Sequence, residues 1–238
     1  MTTSTDTTSP SHTASRVPAS ATQFVALSAG LLGLATAWAD GIELQTFFAL
    51  ASVVFAVSAY SGFTRLSERL TTRLAPAPAL HAVITLFLPA AFLLFIVVGT
   101  DYVQRGVTGW SAFATGLPLG LLAACISLIT QIDRRGEDLD DDRQSTVTGL
   151  ETTQLKLVYL LLCMPAYGWL VVQVGRDSLP QFAGAAAITL VLSFKAARDL
   201  NDYASDEPGA LDSAIRLTVL AAPLFGLLLA GALVFDAL

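Results

Sequence analysis

The hydrophobic and polar residues of this chain are arranged in long alternating blocks. Seven mostly apolar stretches are separated by short polar segments, and they run at about 22–39, 45–63, 79–99, 111–132, 155–175, 180–197 and 214–235. A helix that crosses a bilayer needs roughly 20 mostly apolar residues. The pattern therefore predicts an all-α, polytopic membrane bundle of about seven transmembrane helices.

The first 20 residues differ from the rest of the chain, because they are rich in Ser and Thr and poor in apolar residues. They lack a convincing basic region and the small-residue cleavage site of a signal peptide. We interpret residues 1–20 as a disordered cytoplasmic tail. Residues 21–238 are then expected to form one transmembrane helical domain.

The composition also favours the membrane class. Of the 238 residues, 54% are hydrophobic and only 13% are charged, whereas soluble domains carry about 25% charged residues. The formal charge of −6 argues against a nucleic-acid partner, which requires basic patches. Cys125 and Cys163 lie inside apolar stretches and are expected to be small buried side chains.

Lysine and arginine are unevenly divided between the two sets of connecting segments. With seven spans, the side of the N-terminus receives eleven of the 13 basic residues, and the other side receives Arg105 and Arg176. Basic loops remain cytoplasmic, so the N-terminus is predicted inside the cell membrane and the C-terminus outside. Fourteen of the 19 acidic residues lie on the same side as most of the basic residues. The rule that basic loops stay cytoplasmic does not explain this, because acidic residues contribute little to membrane orientation.

The segment after the fourth apolar stretch carries the densest group of charges. In a helix, Asp138 and Asp142 would lie on one face about 5–6 Å apart between Cβ atoms, and they would repel each other without a cation. Mg²⁺ binds one or two carboxylates together with phosphate oxygens, and Arg134, Arg135 and Arg143 could bind further phosphate oxygens. The spacing is compatible with a magnesium–diphosphate site and equally with a solvated acidic loop.

Several stretches in the middle of the chain are similar to one protein family. They are LPAAFLLFIVVGTDYVQ at 88–104, Gly106, Trp110, LPLGLLA at 117–123, and DLDDDR at 138–143, which matches an aspartate motif D-x-x-x-D-R. These residues resemble the UbiA superfamily of intramembrane prenyltransferases, and most closely its dihydroxynaphthoate branch in the menaquinone pathway.

The resemblance implies a helical fold of nine spans around a central cavity. In that family, Mg²⁺ holds a polyprenyl diphosphate between two aspartate motifs, and the prenyl group is transferred to an aromatic or other lipid-soluble acceptor. Asp138 and Asp142 are the implied catalytic and metal-binding residues, and Asp133 supports the metal. Arg134, Arg135 and Arg143 are the implied ligands of the diphosphate.

Tyr60 and Arg65 stand where the family has a tyrosine-led loop that contacts the diphosphate. The resemblance therefore implies that both residues bind the substrate. The alternative is an interfacial aromatic ring followed by arginines that extend toward the membrane surface.

The chain departs from the family in its first part. Four apolar stretches precede the aspartate loop, where the family has six helices, and nothing before Asp40 is similar to the first aspartate motif. The Gly-Lys pair that follows the second motif in the family is absent too, because Arg143 is followed by Gln144. The chain is thus similar to a family member without its first two helices.

A second group of carboxylates follows the sixth apolar stretch on the same predicted side. Asp199, Asp202 and Asp206 are spaced as D-x-x-D-x-x-x-D. We hypothesise that Asp202 and Asp206, together with Asn201, supply a substitute metal cluster. The alternative is a helix end followed by an acidic turn.

Three functions remain open from the sequence. The first is a prenyltransferase relative, impaired by the missing motif, that uses Mg²⁺, a polyprenyl diphosphate and a lipid-soluble acceptor. The second is a non-catalytic membrane protein that binds an isoprenoid lipid or scaffolds a partner, as a homo- or hetero-oligomer. The third is a small transporter, against which the predicted spans contain almost no ionisable residues.

Overall fold

A computed structural model describes residues 19–41, 46–74, 78–135, 150–203 and 209–238. Every regular element in these ranges is a helix. The elements are α1 (Ala19–Ala39), α2 (Thr46–Leu74), α3 (Pro78–Arg105), α4 (Trp110–Asp133), α5 (Thr152–Gly175), a 3₁₀ helix (Gln181–Thr189) that continues as α6 (Leu190–Tyr203), and α7 (Ala210–Asp236).

Five helices are long and apolar enough to cross a membrane, namely α1, α3, α4, α5 and α7. The chain is therefore a multi-pass helical membrane protein. The apolar part of α2 is shorter and covers Phe48–Phe63. Of the predicted tail, residues 1–18 lie outside the described ranges, and Ala19 already belongs to α1.

Three helices continue well beyond the ends that the hydrophobic pattern predicts, among them α6, which was expected to end at 197 and ends at Tyr203. The second apolar stretch was expected to end at 63, but α2 continues to Leu74. Leucine recurs at 66, 70 and 74, a spacing of four that keeps one apolar face on a helix. The third stretch was expected to end at 99, but α3 continues to Arg105 and so includes Asp101.

The centre of the described bundle is occupied by α1 and α4. Helix α1 packs against α2, α3, α4 and α7, and helix α4 packs against α1, α3, α5 and α7. The core side chains Leu32, Leu119, Leu128 and Phe225 are fully buried. Buried side chains therefore occupy the centre of the described bundle.

Glycine allows the central helices to approach one another closely. A Cβ atom at Gly33 of α1 would lie 2.5 Å from the carbonyl oxygen of Val97 in α3. A Cβ atom at Gly120 of α4 would lie 2.7 Å from the carbonyl oxygen of Ala90. Small residues at such contacts are typical of helix packing in membranes.

Contacts at the helix ends fix the direction of the helices. Asp40, which follows α1, pairs with Arg105 at the end of α3, so α1 and α3 run parallel and α2 returns between them. Tyr159 near the start of α5 lies 3.0 Å from Thr218 near the start of α7, between hydroxyl oxygens. Helices α5 and α7 are therefore also parallel, and the 3₁₀ helix with α6 returns between them.

The two ends of the bundle differ in charge. We call one end the basic end, defined by Arg134, Arg135, Lys156 and Arg198. The opposite end, defined by Asp40, Arg105 and Ser111, is called the far end.

Candidate functional site

The basic end brings together several of the predicted site residues. Asp133 is the last residue of α4, and Arg134 is its C-cap. The next residue, Arg135, donates a hydrogen bond from Nη2 to the carbonyl oxygen of Leu150 at 2.9 Å. This bond joins the two residues that flank segment 136–149, so the acidic segment begins and ends at one point of the basic end.

Helices α5 and α6 contribute further charged and polar groups to this end. Lys156 Nζ donates a hydrogen bond to Oδ1 of Asn201 at 3.2 Å. Asp202 follows Asn201 in the last turn of α6 and is partly buried. Oδ2 of Asp199 is buried and has no hydrogen-bond partner among the described residues. These groups flank segment 204–208.

Other predicted site residues are not in the described ranges. Asp138, Asp142 and Arg143 belong to segment 136–149, and Asp206 belongs to segment 204–208. The described residues contain no group of three or more His, Cys, Asp or Glu side chains that could hold a metal ion. Asp133 and Asp202 alone therefore do not form a metal site, and the magnesium site at Asp138 and Asp142 stays a prediction.

The interpretation of Tyr60 and Arg65 as the start of a loop is wrong, because both residues lie within α2. Tyr60 is buried, and its ring centroid lies 6.1 Å from that of Phe92 in α3 and 6.4 Å from that of Phe63. Phe63 and Phe92 stack with centroids 4.1 Å apart. Tyr60 thus belongs to an aromatic cluster between α2 and α3. The Arg65 side chain lies outside the described part.

The far end holds a buried ionic network that the sequence analysis missed. Asp101 of α3 has no exposed surface. Arg105, one turn later, places Nε 2.9 Å from Oδ1 of Asp101 and also pairs with Asp40. Thr36 Oγ1 lies 3.1 Å from the same Oδ1, and the backbone N–H of Gly109 donates to Oδ2 at 3.4 Å.

Ser111 extends this network to α4. Its Oγ donates to Oδ2 of Asp40 at 2.9 Å and accepts from Nη2 of Arg105 at 3.2 Å. The network therefore connects the far ends of α1, α3 and α4. The expectation that the spans contain almost no ionisable residues needs correction at Asp101, but its charge is compensated by Arg105.

One sequence signal could have revealed part of the network. Asp101 and Arg105 are four residues apart, which places them on one face of a helix. Their partners Thr36 and Asp40 are more than 60 positions away in the sequence, and no local pattern predicts those contacts.

Two cavities lie away from the basic end. The first is a lateral groove of about 580 Å³ between α2 and α3, which we call the α2–α3 groove. Its lining residues are uncharged and mostly apolar: Phe48, Ala51, Ser52, Phe55, Ala56, Ala59, Phe92, Phe95, Ile96, Gly99, Thr100, Tyr102 and Val103. The second is a polar pocket of about 340 Å³ at the far end, whose lining includes Asp40, Ser111, Asp177 and Asp236.

Comparisons with known proteins add no family assignment. Neither protein-family models, nor curated proteins, nor solved structures gave a match to this chain.

Proposed function

We propose that this chain is a seven-span membrane protein related to the UbiA prenyltransferases, and that it binds a polyprenyl diphosphate at its basic end. One observation carries the proposal. Charged side chains at the ends of α4, α5 and α6 lie on the side of the bundle where described residues flank the two acidic segments, 136–149 and 204–208.

The seven-span arrangement is supported by the parallel helix pairs. If α2 did not cross the membrane, α3 would run opposite to α1, and Asp40 could not contact Arg105. The same argument applies to α6, because Tyr159 and Thr218 are in contact near the starts of α5 and α7. With basic loops retained in the cytoplasm, the proposal places the N-terminus inside and the C-terminus outside.

The basic end carries cationic side chains of the kind that bind a diphosphate. A guanidinium group has five N–H donors, and Arg135 uses one of them on Leu150. Arg134 and Lys156 add two further cationic side chains to this end, and guanidinium and ammonium groups are the side chains that bind phosphate oxygens. Cationic groups at this position would stabilise the charge that develops on a departing diphosphate.

Prenyl transfer is the activity that we propose for this end. The bond between the allylic carbon and the diphosphate oxygen breaks, the diphosphate leaves with the electron pair, and the acceptor forms the new bond to carbon and loses a proton. The acceptor would reach this position from the bilayer. Asp138 and Asp142 are the proposed catalytic carboxylates.

A second candidate function is binding of the isoprenoid without transfer. The packing of α1 and α4 favours it, because their side chains fill the centre of the described bundle. A transferase needs a dry pocket that protects an allylic cation from water.

A transfer assay separates the two functions. The full-length protein in phospholipid vesicles is mixed with Mg²⁺, a radiolabelled polyprenyl diphosphate and a lipid extract as the source of acceptor. Bound label and labelled product are measured separately. We expect Asp138→Asn/Asp142→Asn to reduce product at least 100-fold, because both proposed catalytic carboxylates are lost.

Asp177→Asn is the matched control for this assay. It removes one carboxylate at the far end, and Asn tolerates the positive φ of 54° at that position. The control should keep the product yield of the original chain. Label that binds without product in all three proteins supports the non-catalytic candidate, whereas absence of binding contradicts both functions.

A further inference from the structure

The α2–α3 groove is separate from the basic end and has a defined cross-section. Its floor is formed by small or buried residues, including Ala56, which is 1% exposed, and Ile96, which is 5% exposed. Its rims carry Phe55 and Phe95, which are 67% and 65% exposed. The groove is therefore open to the lipid side, with phenylalanine rings along its rims.

The groove has the length of one bilayer leaflet. It extends along α3 from Phe92 to Val103, which corresponds to about 16 Å at a rise of 1.5 Å per residue. Half of the hydrocarbon core is about 15 Å thick. Val103 lies close to the end of α3 at the far end, so the groove occupies the leaflet on that side.

An aromatic cluster closes the groove toward the basic end. Phe92 lines the groove and also stacks on Phe63, with centroids 4.1 Å apart. Tyr60 packs against both rings and is buried. An occupant that enters from the far end would therefore stop near the middle of the bilayer.

The cross-section argues against a helix of a second copy as the occupant. Helices associate in membranes where small residues on the contact surface allow their backbones to approach. In this groove the small residues, such as Ala56 and Gly99, are on the floor, and the rims are phenylalanine. A helix about 10 Å wide would meet the rims first, whereas a hydrocarbon chain can lie on the floor.

We propose that the α2–α3 groove binds one hydrocarbon chain of a bilayer lipid from the leaflet at the far end. The lining residues are uncharged, so recognition is by shape and apolar contact, and the lipid headgroup remains at the membrane surface beyond Val103. The volume of about 580 Å³ lies within the range of about 300–1,000 Å³ for ligand pockets. This site does not depend on the proposed function of the basic end.

Gly99 offers a direct test, because it lines the groove and a Cβ atom there would meet no atom within 4 Å. Gly99→Trp should place an indole ring in the groove. Gly168→Trp on α5 is the control, since Gly168 does not line the groove, is exposed, and has the same freedom from contacts at an added Cβ atom. Circular dichroism should give the same helix content for all three proteins.

The proteins are extracted from phosphatidylcholine vesicles and examined by native mass spectrometry. We expect the original chain and Gly168→Trp to retain one phospholipid, and Gly99→Trp to retain at least fivefold less. Equal retention in all three proteins would overturn the proposal. If the original chain and Gly168→Trp are dimers and Gly99→Trp is a monomer, the groove binds a second copy of the chain instead. If equimolar polyprenyl phosphate displaces the phospholipid, the groove binds an isoprenoid instead.

A depth measurement tests the orientation of the chain. Phosphatidylcholine carrying a photoreactive diazirine near the end of one acyl chain should cross-link to peptides that contain Ala59 or Phe92. The same group placed near the glycerol should cross-link to peptides that contain Phe48 or Val103. The reverse order, or cross-linking that Gly99→Trp does not reduce, contradicts the proposal.

Discussion

Arg105 pairs with two carboxylates that differ sharply in exposure. The side chain of Asp101 is fully buried, whereas that of Asp40 is 44% exposed. An exposed ion pair contributes about 0–1 kcal/mol, because water and salt screen it. A buried charge that loses its partner costs far more, since its desolvation is no longer compensated.

Arg105→Met is therefore expected to destabilise the protein by roughly 3–5 kcal/mol, because it leaves the Asp101 carboxylate buried without its cation. Asp40→Asn should cost less than about 1 kcal/mol. The measurement is the free energy of unfolding in mixed detergent micelles, followed by circular dichroism. The double variant Asp101→Leu/Arg105→Met should recover most of the loss, because no buried charge remains, and no recovery would argue against this explanation.

At the same scale, the sequence predicted some side chains well and others poorly. Cys125 and Cys163 are free and buried, as expected from their apolar surroundings. Tyr60 was assigned to a loop, because it stands where the similar family has a tyrosine-led loop. The assignment failed because α2 continues as a helix beyond the apolar stretch, and a chain can stay helical after its hydrophobicity ends.

At the scale of elements, the 3₁₀ helix Gln181–Thr189 is unusually long. Such helices rarely exceed 3–4 residues, and its sequence is rich in alanine, the best former of α-helices. Nine residues of 3₁₀ helix are about 4.5 Å longer than the same residues in an α-helix. This extension lengthens the short apolar stretch 180–197, which was predicted as a span but not as a 3₁₀ helix.

The hydroxyl of Tyr167 joins the 3₁₀ helix to α6. It lies 3.0 Å from the hydroxyl oxygens of both Thr189 and Ser193, on the two sides of the junction. We expect Tyr167→Phe to weaken the junction by about 1–2 kcal/mol, because both bonds are lost while the ring can still pack against Phe225.

Hydrogen exchange with mass spectrometry in detergent checks this expectation. Amides of residues 183–190 should exchange several-fold faster in Tyr167→Phe than in the original chain. Tyr159→Phe is the matched control, since it also removes a buried tyrosine–threonine bond, that to Thr218, but lies away from the junction. Equal acceleration of 183–190 in both variants would count against a specific role for Tyr167.

Helix positions were the most predictable property of the elements. Each apolar stretch coincides with a helical segment, because a segment in lipid must satisfy its backbone hydrogen bonds internally, and a helix does so. The ends were less predictable at α2, α3 and α6, where the helix continues past the apolar residues. At α3 the added residues include Asp101, and its contact with Thr36 could not be predicted from the sequence.

At the scale of the whole molecule, the number of crossings decides which loops share a side of the membrane. With the N-terminus inside, as proposed, seven crossings would place the segment between α3 and α4 outside and segment 136–149 inside. Five crossings, made by the five long apolar helices alone, would reverse both positions. The two termini lie on opposite sides of the membrane in either case, so their positions do not distinguish five crossings from seven.

Single cysteines at Thr108 and Gln144 discriminate between these arrangements in intact cells. With Cys125 and Cys163 replaced by Ala, we expect a membrane-impermeant maleimide to label Thr108→Cys at least tenfold more than Gln144→Cys. Permeabilising the cells should make the two labelling levels equal. The opposite preference in intact cells would support five crossings.

The contact between α1 and α7 has a consequence for biosynthesis. The first described helix packs against the last one, and Gly226 of α7 approaches Ser28 so closely that a Cβ atom there would lie 3.0 Å from its hydroxyl oxygen. While the ribosome is still translating the intervening helices, this side of α1 has no partner from its own chain. A chain that terminates early, before Ala210, would leave α1 in the bilayer with that surface open to lipids or to membrane quality-control proteases.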